Sequence, residues 1–289
     1  MIAKKNFCYY SFVFLLFIIF VPLKLYTMIK DNLNIIRETI PSDVTLIAVS
    51  KTKPVSDIQE AYEANQRIFG ENKALEMRDK YQELPKDIQW HFIGHLQTNK
   101  IKYIAPFVTL IHSIDSASLL EAVNKEAAKN NRVINCLLQF HIAQEDTKFG
   151  LNMEEAKALL ESENFKNFKN IHIVGVMGMA TFTENMNQVR DEFKTLKNIF
   201  ETLKKDYFNN DDTFKEISMG MSDDYPVAIE EGATMHTLLN TFSTFIIIQI
   251  TIQKKSRAET RPTALLCAVS IMFWANPRTV SMTCWLLLK

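Results

Sequence analysis

Thr45-Leu46-Ile47-Ala48-Val49-Ser50-Lys51-Thr52-Lys53-Pro54 is a short apolar run that turns abruptly polar. Its first half, with β-branched residues among the apolar ones, predicts a strand buried on both faces. Pro54 cannot donate to a ladder and so limits how far that strand continues. The same pattern recurs along the chain. Short runs at 66–69, 90–93, 110–113, 133–141, 172–176 and 214–218 alternate with longer amphipathic stretches, the mark of repeated βα units and a parallel sheet. The stretch 186–207 places Val189, Phe193, Leu196, Phe200 and Leu203 at helical spacing, so one helix face is apolar. An eighth strand is expected near 234–239, after the helix that carries Ala228 and Ile229. With an N-terminal helix over 29–40 to complete the outer ring, the reading is an α/β fold, a (β/α)8 TIM barrel.

A chain of 289 residues accommodates one such barrel with extensions, since a single barrel takes roughly 200 to 250 residues. Lys plus Arg and Asp plus Glu both total 33, so there is no net charge to attract a polyelectrolyte, and no nucleic-acid partner is expected. Cys8, Cys136, Cys267 and Cys284 form no C-x-x-C pair, which argues against a disulfide framework or a zinc site and fits a reducing, cytoplasmic environment. His91 and His95 have metal-ligand spacing but straddle a strand end and a glycine, so no metal is expected.

Two regions differ from the rest. Residues 7–23 are uncharged and apolar, flanked by Lys4, Lys5 and Lys24. The length is near the lower limit of a membrane span, about 17 to 25 residues. A secretory signal is a second reading, although no A-x-A-like site follows, and a natural start at Met28 is a third. The expected divisions are therefore a hydrophobic extension over 1–27, a barrel over 28–235 and an atypical tail over 236–289, in which no βα period can be traced and the last strand is in question.

In a barrel, chemistry gathers at the C-terminal ends of the strands. Lys51 falls at such a place. Held against apolar walls beside a second cation, Lys53, it is suited to supply the neutral amine that imine formation requires; the alternative is a lysine that extends from a strand end into solvent. Glu216-Ile217-Ser218-Met219-Gly220-Met221-Ser222 follows a late strand and precedes a helix expected near Asp223. Gly220 allows close backbone approach, Ser218 and Ser222 offer hydroxyls, and a helix start presents free N–H groups, which together make a phosphate cradle. The alternative is an ordinary helix cap formed by Ser222 or Asp223. Thr234, in Gly232-Ala233-Thr234, either completes the cradle or forms the next turn. Asn72, His91 and His95 stand at strand ends too, where they can orient a ligand or only satisfy backbone groups. The loops Thr147-Lys148-Phe149-Gly150 and Met177-Gly178-Met179-Ala180 carry no chemical signal of their own.

Taken in order, Ala48-Val49-Ser50-Lys51-Thr52-Lys53-Pro54, Phe69-Gly70-Glu71-Asn72, Trp90-His91-Phe92-Ile93-Gly94-His95-Leu96-Gln97, Ser218-Met219-Gly220-Met221-Ser222-Asp223-Asp224 and Ala228-Ile229-Glu230-Glu231-Gly232-Ala233-Thr234 resemble the pyridoxal 5′-phosphate (PLP) homeostasis proteins. These are single-domain binders whose barrel is similar to the N-terminal domain of alanine racemase. The resemblance implies a Schiff base between PLP and Lys51, with Asn72, Ser218, Gly220, Ser222 and Thr234 around the cofactor. It also implies a cytoplasmic protein without established turnover that holds PLP for vitamin B6 homeostasis and delivers it to PLP-dependent apoenzymes. A monomer is expected. One departure stands out: the family continues into Val-Arg-Ile-Gly, with the arginine at the pyridine nitrogen, whereas Met235 is followed here by His236-Thr237-Leu238-Leu239. The eighth strand is then expected to be defective, leaving open edges at the first and seventh strands. Two competing readings are an amino-acid racemase of the alanine racemase type using Lys51 as one base, and a membrane-anchored PLP-binding module held by residues 7–23. The racemase reading lacks a visible second domain.

Overall fold

The structure is a computed structural model that describes residues 29–144, 149–238 and 242. The expectations for residues 1–28, for Thr147 and Lys148, and for the tail beyond Leu238 lie outside the described residues, apart from Phe242. Among the described residues, no helix is long and apolar enough to cross a membrane.

Helix α1 (Ile29–Arg37) leads into β1 (Thr45–Val49), and α2 (Val55–Glu63), β2 (Ile68–Glu71), α3 (Ala74–Glu83) and β3 (Gln89–Phe92) follow. A 3-10 turn (Thr98–Lys100) runs into α4 (Ile101–Ile104), then come β4 (Leu110–Ile114), α5 (Ala117–Lys129), β5 (Ile134–Phe140), α6 (Met153–Glu161) and α7 (Glu163–Lys166). The chain continues with β6 (Ile171–Gly178), α8 (Met186–Asp206), β7 (Glu216–Ser218), α9 (Tyr225–Glu230) and β8 (Met235–Leu238). All eight strands are parallel and join in sequence order into a closed barrel, as the βα alternation predicts.

Strand residues sort to two faces because successive side chains alternate. Ile47, Leu110, Leu137, Val174, Met177 and Met235 form a separate cluster that plugs the barrel interior. Ala48, Phe69, Ile111, Leu138 and Val176 pack outward in the larger core that the strands share with the helices. Local sequence sets several helix starts. Ser116 accepts from the Leu119 amide at the head of α5, and Asn152 with Glu155 forms a reciprocal capping box on α6.

The expectation of open edges at the first and seventh strands is corrected. β8 pairs with β1 from Thr45↔Met235 to Ala48↔Leu238 and with β7 at Ser218↔Met235. Backbone groups supply the ladder, so the unusual side chains do not prevent closure, and Met235 fills the lumen. The barrel thus runs to Leu238, past the boundary expected at Met235.

The cost falls on one residue. His236 faces away from the lumen, fully buried, with its ring against Tyr225 at 5.7 Å between centroids. Neither ring nitrogen has a hydrogen-bond partner among the described residues, and burial depresses its pKa to about 4. Replacing such an unsatisfied group with an apolar one of similar size removes a desolvation cost of about 1–3 kcal/mol. His236→Leu is therefore expected to raise the free energy of unfolding by that amount in urea titrations; a loss of stability would contradict the account.

Candidate functional site

Parallel strands place all their C-terminal ends at one mouth of the barrel. Lys51 follows β1 there, half-buried, four positions beyond lumen-facing Ile47. It occupies a tight turn. The Lys53 amide donates to the Ser50 carbonyl at 3.0 Å, and Thr52 has φ 63°, a conformation that usually calls for Gly or Asn.

The turn is braced from behind, on the outer side of the sheet. The Ser50 hydroxyl donates to Glu71 Oε1 at 2.6 Å. Lys80 Nζ, from α3, donates to the Ser50 carbonyl, to Glu71 Oε1 and to Glu76 Oε1, each at 2.7 Å. The Thr52 amide donates to Glu76 Oε1 at 2.7 Å. Burial pushes the Glu71 carboxyl above its usual range, against the donations of Lys80 and Ser50. Burial also opposes charge on Glu76, but the donations from Lys80 and Thr52 outweigh it and hold its pKa below the ordinary value.

The upper lumen is polar. His91 Nδ1 lies 3.1 Å from His112 Nε2, and His112 Nδ1 lies 2.9 Å from Ser218 Oγ, all buried. Desolvation lowers the His91 pKa to about 3; the same desolvation, with the neighbouring His91, holds His112 well below its usual value. Both imidazoles are therefore neutral and pass hydrogen bonds rather than charge. Gln139 joins from β5, its amide donating to the Phe149 carbonyl at 2.9 Å.

Asn72 directly follows β2 at the same mouth, and its Oδ1 is buried without a hydrogen-bond partner among the described residues. The β3 loop packs directly on it: a Cβ at Gly94 would sit 2.5 Å from the Asn72 carbonyl oxygen. Ser218, Gly220 and Ser222 follow at the end of β7. Gly220 has φ 88°, and a Cβ there would lie 2.6 Å from that of Ala228, so the loop can hug α9 only as glycine. The cap is neither Ser222 nor Asp223. Asp224 occupies the N-cap position of α9, and its Oδ1 accepts from the Met221 amide.

Thr234 does not join this group. It precedes β8 and therefore stands at the opposite, N-terminal end of the barrel. Its hydroxyl donates to Glu216 Oε2 at 2.7 Å and accepts from the Ile217 amide at 2.8 Å. Thr237 is the β8 residue that the sequence reading missed. It pairs with lumen-facing Ile47 and shares the face of Met235, and its amide donates to the Gly220 carbonyl at 3.1 Å. A hydroxyl, not a guanidinium, thus stands in the wall that β8 supplies. His95 also lies at the mouth, 3.2 Å from Asp115 Oδ2 and stacked on Phe149 at 4.4 Å, and the described residues hold no metal-ligand cluster.

The family described as alanine racemase, N-terminal domain, matches residues 26–236. The pyridoxal phosphate homeostasis protein of Aquifex aeolicus is 39% identical over 191 residues, 66% of this chain and 82% of that protein. Its namesake from Escherichia coli K12 is 34% identical over 199 residues, 68% and 82% of the two chains. Among solved structures, PipY of Synechococcus elongatus with PLP bound superposes with a TM-score of 0.66 at 32% identity, covering 74% of this chain and 99% of that one. Alanine racemase from Bartonella henselae, with covalently bound pyridoxal phosphate, has a TM-score of 0.56 at 13% identity over 73% of this chain and 59% of that one. That likeness is one of fold alone.

Proposed function

Because this chain belongs to the pyridoxal phosphate homeostasis protein family, within the wider alanine racemase N-terminal domain family, we propose that it binds PLP at the barrel mouth as a Schiff base on Lys51. The observation that supports the reading is a half-buried lysine in the turn just past the end of β1, at the mouth of a barrel that in PipY is seen with PLP bound. The bound group supplies an aldehyde, which condenses with a neutral primary amine and releases one water.

The residues present fit such a ligand. Lys51 supplies the amine. Ser218, Gly220 and Ser222 would hold the phosphate, Gly220 by leaving room for close approach. The Asn72 amide, with its buried unpaired oxygen, would orient the ring. The neutral His91–His112 pair would fix the Ser218 hydroxyl, and Thr237 would close the wall beside the Gly220 loop. Among the described residues no arginine stands at that wall, so the ligand is expected to be held more loosely and released more readily.

The wider role follows from this reading: a cytoplasmic monomer that keeps PLP and passes it to PLP-dependent apoenzymes, without catalytic turnover of its own. The test uses the full chain mixed with PLP. The absorbance band of the lysine adduct is expected in the unchanged protein and is lost in Lys51→Ala. Borohydride reduction followed by peptide mapping should place the label on Lys51; no band, or a label on another lysine, would reject the assignment.

A further inference from the structure

The residues around Ser50 form a brace whose purpose is not obvious from packing alone. A buried ion pair between helix and strand, Lys80 with Glu71, has side chains 7% and 0% exposed. Burying two charges costs more than a well-packed apolar pair would, so its presence calls for a local reason. The brace also converges on the backbone of one turn. Lys80 holds the carbonyl before Lys51, and Glu76 holds the amide after it. Between those two anchors lies a threonine in the left-handed region, where a β-branched side chain is strained. Such a conformation persists only when its surroundings over-determine it.

We propose that Lys80 and Glu76, backed by Glu71, are positioning residues that hold the Ser50-Lys51-Thr52-Lys53 turn in its strained form and so aim the Lys51 amine into the barrel mouth. This rests on the reading of Lys51 as the residue that carries the aldehyde. Glu71 pins both Ser50 and Lys80 through Oε1, and Lys80 carries that anchorage from the sheet to α3. Released from it, Thr52 would relax to negative φ and the lysine would lose its fixed direction.

The experiment compares the full-length chain with Lys80→Met, Glu76→Ala, Glu76→Gln and Thr52→Gly. Two quantities are read: hydrogen exchange of the Thr52 amide in cofactor-free protein, and the affinity for PLP from the Lys51 absorbance band. In Lys80→Met and Glu76→Ala, exchange at Thr52 is expected to quicken, and PLP binding to weaken, each by about tenfold or more, as for loss of a charge-assisted hydrogen bond. Glu76→Gln keeps a carbonyl acceptor and should recover most of both. Thr52→Gly takes positive φ without strain, so it should leave binding at the wild-type level or tighter, and added to Glu76→Ala it should restore part of the lost affinity, which a merely structural role would not produce.

Glu76 is partly exposed, so its truncation tests the brace even if Lys80→Met fails to fold. Wild-type affinity in Glu76→Ala, alongside a normal Lys51 band in the unchanged chain, would overturn the proposal and leave the cofactor reading standing. Absence of that band in the unchanged chain would overturn both.

Discussion

Gly175→Ala is expected to destabilise the barrel by about 3–5 kcal/mol, a large part of the roughly 5–15 kcal/mol that holds a domain folded. The reason is a bulge. Between β5 and β6 the register steps from Cys136↔Ile173 to Leu137↔Gly175, so β6 carries one extra residue and bends. The bend drives Gly175 against β7, where it pairs with Glu216. A Cβ on Gly175 would lie 1.8 Å from the Glu216 carbonyl oxygen and 2.6 Å from its carbonyl carbon. No rotamer change relieves a collision with backbone, so either the ladder between β6 and β7 opens or the bulge moves. Moving it by one residue would turn the side chain it passes from one face of the sheet to the other. Urea titration of the variant measures the loss; a change below about 1 kcal/mol, well under the usual cost of overpacking, would show that the bulge is soft.

Acidification is expected to unfold the protein steeply from just below pH 6.5. His236 is depressed to about 4, His91 to about 3, and His112 well below its ordinary value, in each case chiefly by burial. All three are neutral in the folded chain. The unfolded chain takes up protons near pH 6.5, so it binds more protons than the native state below that pH. The stability that these groups confer is complete above about pH 6.5. It declines as pH falls, until about 4 for His236 and about 3 for His91.

Each imidazole contributes a slope of about 1.4 kcal/mol per pH unit, so the three together approach 4 kcal/mol per unit. Glu71, whose carboxyl is pushed up, opposes them by up to one proton. Glu76 and Glu192, held below the ordinary carboxylate value, add to the loss only at lower pH. Half-unfolding near pH 5 is then expected for a domain of ordinary stability. Unfolding free energies measured from pH 7 to 5 check the slope, and His236→Leu should lower it by one proton. A slope of less than one proton between pH 6 and 5 would mean that the imidazoles reach water.

Where pattern alone decides an element, sequence and structure agree closely. The strand expected at Thr45–Val49 is β1 residue for residue, since an apolar run ending before Pro54 leaves little latitude. The 3.6-residue spacing of Val189, Phe193, Leu196 and Leu203 reappears as the buried face of α8. β2 begins at Ile68, not at residue 66, because Gln66 spends its side chain donating to the Leu46 and Ile68 carbonyls. Such a contact depends on a strand about 20 positions away and leaves no local trace.

The site divides in the same way. Lys51, Asn72 and Gly220 each lie one or two residues past a strand, and strand ends are visible in a run of residues. For Thr234 the sequence allows completing the cradle or forming the next turn, and it is the turn that holds: the residue leads into β8 and so stands at the end of the barrel opposite the mouth. Only strand order tells the two ends of a barrel apart. His112 meets Ser218 across 106 positions and Lys80 meets Ser50 across 30, so their roles arise when the barrel closes.

The sequence by itself determined the parallel βα barrel and the lysine just past its first strand, because the alternation of apolar runs and the residues that follow each run are local properties. Tertiary structure alone decided that β8 completes the wall despite losing its arginine, since pairing uses backbone groups. It also decided which residues brace Lys51, because a strained turn is held only by groups that folding brings to it.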